Sequence, residues 1–234
     1  MKQIEYKIEL VRGYILVNDD RGSKVLIDTG SPLSFHADGI VALGGRTFNV
    51  RTSLMGVDDG YVTDNVGTRI DGLVGMDVLG ECGILVDVPG GRIVLSHPTD
   101  GMTRVPSSVE FGYVFLDMDM HGRGTTVIFD TGAPTSYVSA SFTKGLVPVD
   151  HVVDFNPSVP GGKFETLIFE FPATFAGKAF TMRAGHLPHL AQALTYFGVG
   201  GVVGMELLKQ RPFLIADGGV WIGEETVTSC GHED

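Results

Sequence analysis

Two short segments carry the residue types needed to move protons. Val25-Leu26-Ile27-Asp28-Thr29-Gly30-Ser31 and Val127-Ile128-Phe129-Asp130-Thr131-Gly132-Ala133 each place an aspartate after three apolar residues and before Thr-Gly. Such an aspartate sits at the end of a buried strand as the chain enters a tight turn. The strand desolvates the carboxylate, while turn amides and neighbouring hydroxyls hold its orientation. One copy would ordinarily be a turn cap. A matched pair instead points to two half-sites meeting at one centre. Carboxylates brought to about 3 Å cannot both ionise, so they share a proton and supply an acid and a base together. That combination suits peptide hydrolysis by an activated water.

The elements around the triplets repeat as well. The aspartates lie 102 residues apart, at positions 28 and 130, which leaves room for one small β-rich lobe per half. Gly72-Leu73-Val74-Gly75-Met76-Asp77 returns as Gly201-Val202-Val203-Gly204-Met205-Glu206. Ile84-Leu85-Val86-Asp87 with Gly90-Gly91 matches Phe213-Leu214-Ile215-Ala216 with Gly218-Gly219, and Gly45 to Arg51 matches Gly177 to Arg183. Four landmarks in one order argue for internal duplication. Turn-rich chemistry at 97–108 then sets a boundary between halves 1–100 and 101–234. Short alternating runs of Val, Ile, Phe and Thr favour an all-β chain. Short helices are expected only at Ala191–Leu194 and Met205–Leu208.

The halves are not equal. Ser34 to Gly45 spans 11 positions, whereas Ser136 to Gly177 spans 41. The insertion reads as strand, turn and strand over 152–169, a hairpin with Phe155 and Phe164 on its arms and Gly161 and Gly162 at its turn. Placed just after an aspartate strand, it is positioned to fold over a cleft as a lid or flap; the alternative is a plain surface loop.

In these motifs the chain resembles the aspartic peptidases, the superfamily that joins pepsin-like and retropepsin-like enzymes. Both halves fit the pattern of three apolar residues followed by Asp-Thr-Gly-[Ser/Ala], and Leu73-Val74-Gly75 and Val202-Val203-Gly204 fit its later signature. The Gly-Met-Asp and Gly-Met-Glu continuations look more like bacterial retropepsin-type domains than eukaryotic pepsins. The resemblance implies a two-lobed double barrel with Asp28 and Asp130 as the catalytic dyad. It also implies that Thr29 and Thr131 lock the two loops together, that Gly30 and Gly132 keep the turns open, and that the Ser31 hydroxyl supports its aspartate where Ala133 offers none. The activity implied is a single-chain aspartic endopeptidase acting on extended peptide or protein substrates as a monomer, without cofactor or metal. The competing reading is a non-catalytic peptide-binding module or a degenerate peptidase. The chain departs from the family pattern in being shorter than pepsin-like enzymes, in lacking a lid hairpin in its first half, and in offering phenylalanines where a lid tyrosine would be sought.

Composition narrows the alternatives. With 234 residues, 43% hydrophobic, the chain can bury a sizeable core. A net charge of −11 argues against a nucleic-acid surface and against adsorption to anionic lipid. The first residues lack a signal-peptide core and no apolar run approaches a membrane span, so the expected location is cytoplasmic. Cys82 and Cys230 are expected to be free thiols. His186-Leu187-Pro188-His189 has a ligand-like gap but no matching cysteine doublet, and is read as a loop.

Overall fold

The computed structural model describes residues 3–156, 162–187 and 190–224. The chain is all-β, and its strands are joined by four short helices among the described residues: α1 (Asp59–Val66), α2 (Met76–Cys82), α3 (Leu190–Phe197) and α4 (Met205–Leu208). The sequence signals account for α3 and α4. Helices α1 and α2 were not anticipated, although the ends of α1 are marked: Asp58 caps the Tyr61 amide, and Gly67 closes the helix with left-handed backbone.

The aspartate strands explain the arrangement of the sheets. Val25 and Ile27 are fully buried and Leu26 nearly so, as are Val127 and Phe129 in the second half. Strands covered on both faces must be apolar at every position, which is why the three residues before each aspartate do not alternate. In the first half the sheet order is Glu9–Val11, Tyr14–Asn18, Lys24–Ile27, Gly72–Val74, Phe35–His36. The second half repeats it as Ser107–Glu110, Tyr113–Met120, Arg123–Phe129, Gly201–Val203, Ser136–Val138, then adds Lys178–Gly185, Lys163–Phe175 and Asp150–Phe155.

Register repeats along with order. Lys24–Ile27 runs parallel to Gly72–Val74 with Ile27 opposite Val74, and Arg123–Phe129 runs parallel to Gly201–Val203 with Phe129 opposite Val203. Phe35 faces Leu73 across an antiparallel pair, as Tyr137 faces Val202. The added residues of the second half do form the expected hairpin: Asp150–Phe155 pairs with Lys163–Phe175 from Asp150↔Ile168 to Phe155↔Lys163. Its turn residues 157–161, Gly161 among them, lie outside the described residues.

A six-stranded sheet joins the two halves, in the order Ile4–Lys7, Arg92–Leu95, Ile84–Asp87, Phe213–Ala216, Gly219–Ile222, Thr103–Val105. At its centre Leu85 pairs with Leu214, flanked by Ile84 with Ile215 and Val86 with Phe213. Leu85 and Leu214 are equivalent positions of the repeat, so an approximate twofold axis passes between them. The Phe213 ring stacks on Phe129, 4.9 Å between centroids, which ties this sheet to the second aspartate strand. One apolar cluster runs through both halves, from Ile27 and Val74 to Phe129, Val203 and Phe213.

Cys82 is a buried free thiol, and burial pushes its pKa up; Cys230 lies outside the described residues. Among the described residues no helix is long and apolar enough to cross a membrane. Because Leu214 is fully buried on the sheet axis, Leu214→Ala is expected to lower stability by about 2–5 kcal/mol, and Leu85→Ala by a similar amount, in urea denaturation. A loss well under 1 kcal/mol for both would show that the central pair is not the joint between the halves.

Candidate active site

Each aspartate begins where its strand leaves the sheet. The Asp28 amide donates to the Val74 carbonyl and the Asp130 amide to the Val203 carbonyl, both at 3.0 Å, so the parallel neighbour fixes the start of each turn. The turn then folds back on its own carboxylate: the Gly30 amide donates to Asp28 Oδ1 at 2.9 Å, and the Gly132 amide to Asp130 Oδ1 at 2.7 Å. Glycine is required here by space. A Cβ on Gly30 would stand 2.2 Å from Asp130 Cγ, and one on Gly132 would stand 2.6 Å from Asp28 Cγ.

Between the turns, Thr29 and Thr131 exchange hydrogen bonds. The Thr29 amide donates to Thr131 Oγ1 and the Thr131 amide to Thr29 Oγ1, each at 3.0 Å. Each hydroxyl in turn donates across the interface, Thr29 to the Phe129 carbonyl at 3.0 Å and Thr131 to the Ile27 carbonyl at 2.8 Å. Both threonines are fully buried. Ser34 and Ser136 repeat a lesser bond, their hydroxyls accepting from the Gly75 and Gly204 amides at 2.8 and 3.3 Å.

The lock sets each carboxyl against the opposite glycine and close enough to its partner that the two titrations are linked. Burial pushes the Asp28 carboxyl well above the usual carboxylate range, and the Asp130 charge and the shared hydrogen bond push it further; the Gly30 and Ser31 amides pull it partway back. Burial also raises Asp130, with the Gly132 amide, the Asp28 hydrogen bond and the Gly30 amide opposing it and the Asp154 charge adding to it. The pair therefore holds a proton that separated aspartates would release, and it titrates as a unit. Both residues keep an accessible edge on a cavity of about 380 Å³ whose walls are mostly apolar.

The remaining candidates fall into place unequally. The Ser31 hydroxyl donates to the Leu33 carbonyl at 2.7 Å, so its expected bond to the aspartate is replaced by support from its amide. Phe155 lines the cavity and packs on Tyr14 and Tyr61, ring centroids 5.8 and 6.1 Å apart. Phe164 does not line it; that ring is buried against Tyr137 at 5.8 Å and anchors the hairpin to its own half. Gly162 sits over Tyr61 of α1, where a Cβ would come within 2.4 Å of the phenol oxygen. The first half is not bare opposite the hairpin: Leu54, Met55 and Val57 form a rim on a tight turn closed by reciprocal Leu54 and Val57 backbone bonds of 2.8 and 2.9 Å.

Several residues at the site had no motif to reveal them. Asp154, on the hairpin, lines the cavity and accepts from the Tyr14 hydroxyl at 3.2 Å, the Phe155 amide at 2.8 Å and the Tyr137 hydroxyl. Burial first, and then the Asp154 charge, raises both tyrosines, which stay neutral donors. A signal for Tyr14 did exist, since Arg12-Gly13-Tyr14 and Phe111-Gly112-Tyr113 occupy equivalent turns. His186 bonds to Thr143 Oγ1 at 2.7 Å and stacks on Phe169; Pro188 and His189 lie outside the described residues, among which no metal-binding cluster occurs.

Two outcomes follow from these contacts. Thr131→Val removes the acceptor for the buried Thr29 amide and is expected to cost about 1–3 kcal/mol in chemical denaturation, with Thr29→Val costing the same by symmetry. The raised carboxyl sets a pH dependence. Asp28 binds its proton more tightly in the folded protein, so its contribution is complete below the ordinary value of 3.8 and is lost as pH rises through the folded value. Thermal melts should accordingly show Asp28→Asn gaining on the wild type as pH is raised from about 4; a constant or shrinking gap would contradict the shift. No protein-family model and no curated protein matches this chain.

Proposed function

We propose that this chain is a single-chain aspartic endopeptidase: a two-lobed double barrel of the pepsin-like and retropepsin-like kind, made by internal duplication, with lobes 1–100 and 101–234. One observation carries the reading. Two aspartates from equivalent turns of a repeated unit place their carboxyls side by side on the wall of one cavity, and a reciprocal threonine pair holds the turns together there.

The chemistry follows from the shared proton. A water seated between the carboxyls gives a proton to the ionised aspartate as its oxygen attacks the peptide carbonyl, while the protonated partner donates to the carbonyl oxygen. The resulting tetrahedral species collapses when the leaving nitrogen takes a proton from the pair, and the C–N bond breaks. No covalent enzyme intermediate is formed. Because the duplication supplies both aspartates, one chain suffices and a monomer is the working unit. Backbone pairing along the cleft binds an extended substrate, and the apolar walls select its side chains. Cytoplasmic location belongs to the same proposal.

A second reading draws support from the hairpin. It is fastened to both halves through Asp154, and a hairpin held in place in this way suits a peptide-binding module or degenerate peptidase. Digestion of a peptide library from acidic to neutral pH, followed by mass spectrometry, separates the two. The peptidase reading expects cleavage that falls about a thousandfold in Asp28→Asn or Asp130→Asn. Cleavage at the wild-type rate by either folded variant would remove the dyad from the mechanism, and binding without cleavage would establish the module.

A further inference from the structure

The approximate twofold relating the aspartates also relates two turns at the edges of the cleft. Strands Glu9–Val11 and Tyr14–Asn18 are joined by Arg12-Gly13, and their counterparts Ser107–Glu110 and Tyr113–Met120 by Phe111-Gly112. Both turns are left-handed throughout, with φ of 52° and 86° in the first and 54° and 77° in the second. Each is seated on the opposite aspartate loop: a Cβ on Gly13 would stand 2.9 Å from Pro134 Cβ, and one on Gly112 would stand 2.7 Å from Pro32 Cβ. Both prolines line the cavity that holds the carboxyls, as do Tyr14 and Tyr113, the residues next after the turns. The turns therefore stand on opposite sides of the dyad.

Their tips break the symmetry. One is Arg12, whose guanidinium reaches only the Asn65 carbonyl, at 3.5 Å, among the described residues. The other is Phe111, 83% exposed. A bulky side chain at this φ is strained, and an exposed ring gains nothing from burial, so the fold itself gives no reason for a phenylalanine here. Beside each tip lies a further cavity that shares wall residues with the central one. The cavity at Arg12, about 400 Å³, is walled also by Lys163 and Thr135, and shares Tyr14, Pro134, Asp154 and Phe155 with the centre. Its one acid among the described residues, Asp154, is capped by two tyrosines. The cavity at Phe111, about 630 Å³, is walled by Phe115, Tyr196 and Phe197 and shares Phe197 with the centre; its only charge among the described residues is Glu110. Tyr196 is 84% exposed.

We propose that the cleft reads an extended polypeptide in one direction, seating a large apolar or aromatic side chain at the Phe111–Tyr196 end and a carboxylate-bearing side chain at the Arg12–Lys163 end. This deepens the reading of the cleft as a peptide site and rests on it. Removing an aromatic side chain from water between Phe115, Tyr196 and Phe197 favours the first contact. Exposed cations at one end and a carboxylate at the other favour the second and oppose the reversed order.

Two sets of peptides with the same apolar centre test this. In one set an aspartate precedes the centre and a phenylalanine follows it, in the other the order is reversed, and both flanking residues are walked outwards. Wild-type protein is expected to cleave one order roughly tenfold better than the other. The double exchange of Arg12→Phe with Phe111→Arg, checked for folding by thermal melting, is expected to invert that preference. Equal cleavage of both orders, or a preference the exchange leaves untouched, overturns the proposal and leaves the peptidase reading standing. Absence of cleavage by folded wild-type protein overturns the peptidase reading instead. Fluorescence polarisation of the labelled peptides on Asp28→Asn then reads direction alone: unequal affinities that the exchange inverts support it, and equal affinities or no binding overturn it.

Discussion

The bonds exchanged by Thr29 and Thr131 are the constraint on which the site depends. Buried amides and hydroxyls must find partners, and here each half supplies what the other lacks. Either half alone would leave a threonine amide and a strand-end carbonyl unsatisfied at its surface. The separation of the aspartates is consequently set by hydrogen-bond geometry at the two residues that follow them, and slight relative movement of the halves would break all four bonds together. The six-stranded sheet meets the same requirement by apolar means: Leu85 against Leu214 holds the halves where the threonines can reach. A directional lock and a non-directional apolar joint thus share one approximate axis.

Bringing two carboxyls together in this way is unfavourable, and the surrounding groups only partly offset it. Turn amides lower both acids, while burial raises both, and burial is the larger influence. The symmetry of the frame does not extend to the charges. Asp154 adds a third acid on the Asp130 side, held by tyrosines that are not equivalent positions of the repeat, since the counterpart of Tyr14 is Tyr113 and that of Tyr137 is Phe35. A duplicated scaffold therefore carries a site whose two acids meet different surroundings, which is the condition under which one can keep the proton while the other keeps the charge.

What the sequence disclosed was whatever local chemistry encodes. Three apolar residues before Asp-Thr-Gly specify a doubly buried strand and a turn, and the matched spacing of later glycines carried the repeat through to Phe213–Ala216. The hairpin at 152–169 was legible from alternation and turn residues. Its docking was not, because nothing in Asp154 or Phe155 indicates which distant side chains they meet. The Ser31 hydroxyl went astray for a related reason: it donates to the Leu33 carbonyl two residues on, a matter of turn geometry that residue type leaves open. Phe164 and Phe155 sit one step apart in facing register yet differ in role, since neighbouring positions on a ribbon point to opposite faces. Helix α1 had readable caps in Asp58 and Gly67 but only a weak apolar stripe, so periodicity gave it no prominence.

The hairpin shows how unequal anchoring fits the site. Its attachments to its own half are extensive: pairing of Phe169–Phe175 with Lys178–Ala184, the Tyr137 phenol on Asp154, and Phe164 packed on Tyr137. Among the described residues its attachments to the other half include a 3.2 Å hydrogen bond from Tyr14, the Phe155 ring against Tyr14 and Tyr61, and the close approach of Gly162 to Tyr61. Any opening that admits a polypeptide to the carboxyls therefore separates the second group of contacts and spares the first, so that Asp154 travels with Tyr137. Unequal anchoring of this kind makes the two ends of the proposed cleft unlike, as are the arginine and phenylalanine at the equivalent turn tips.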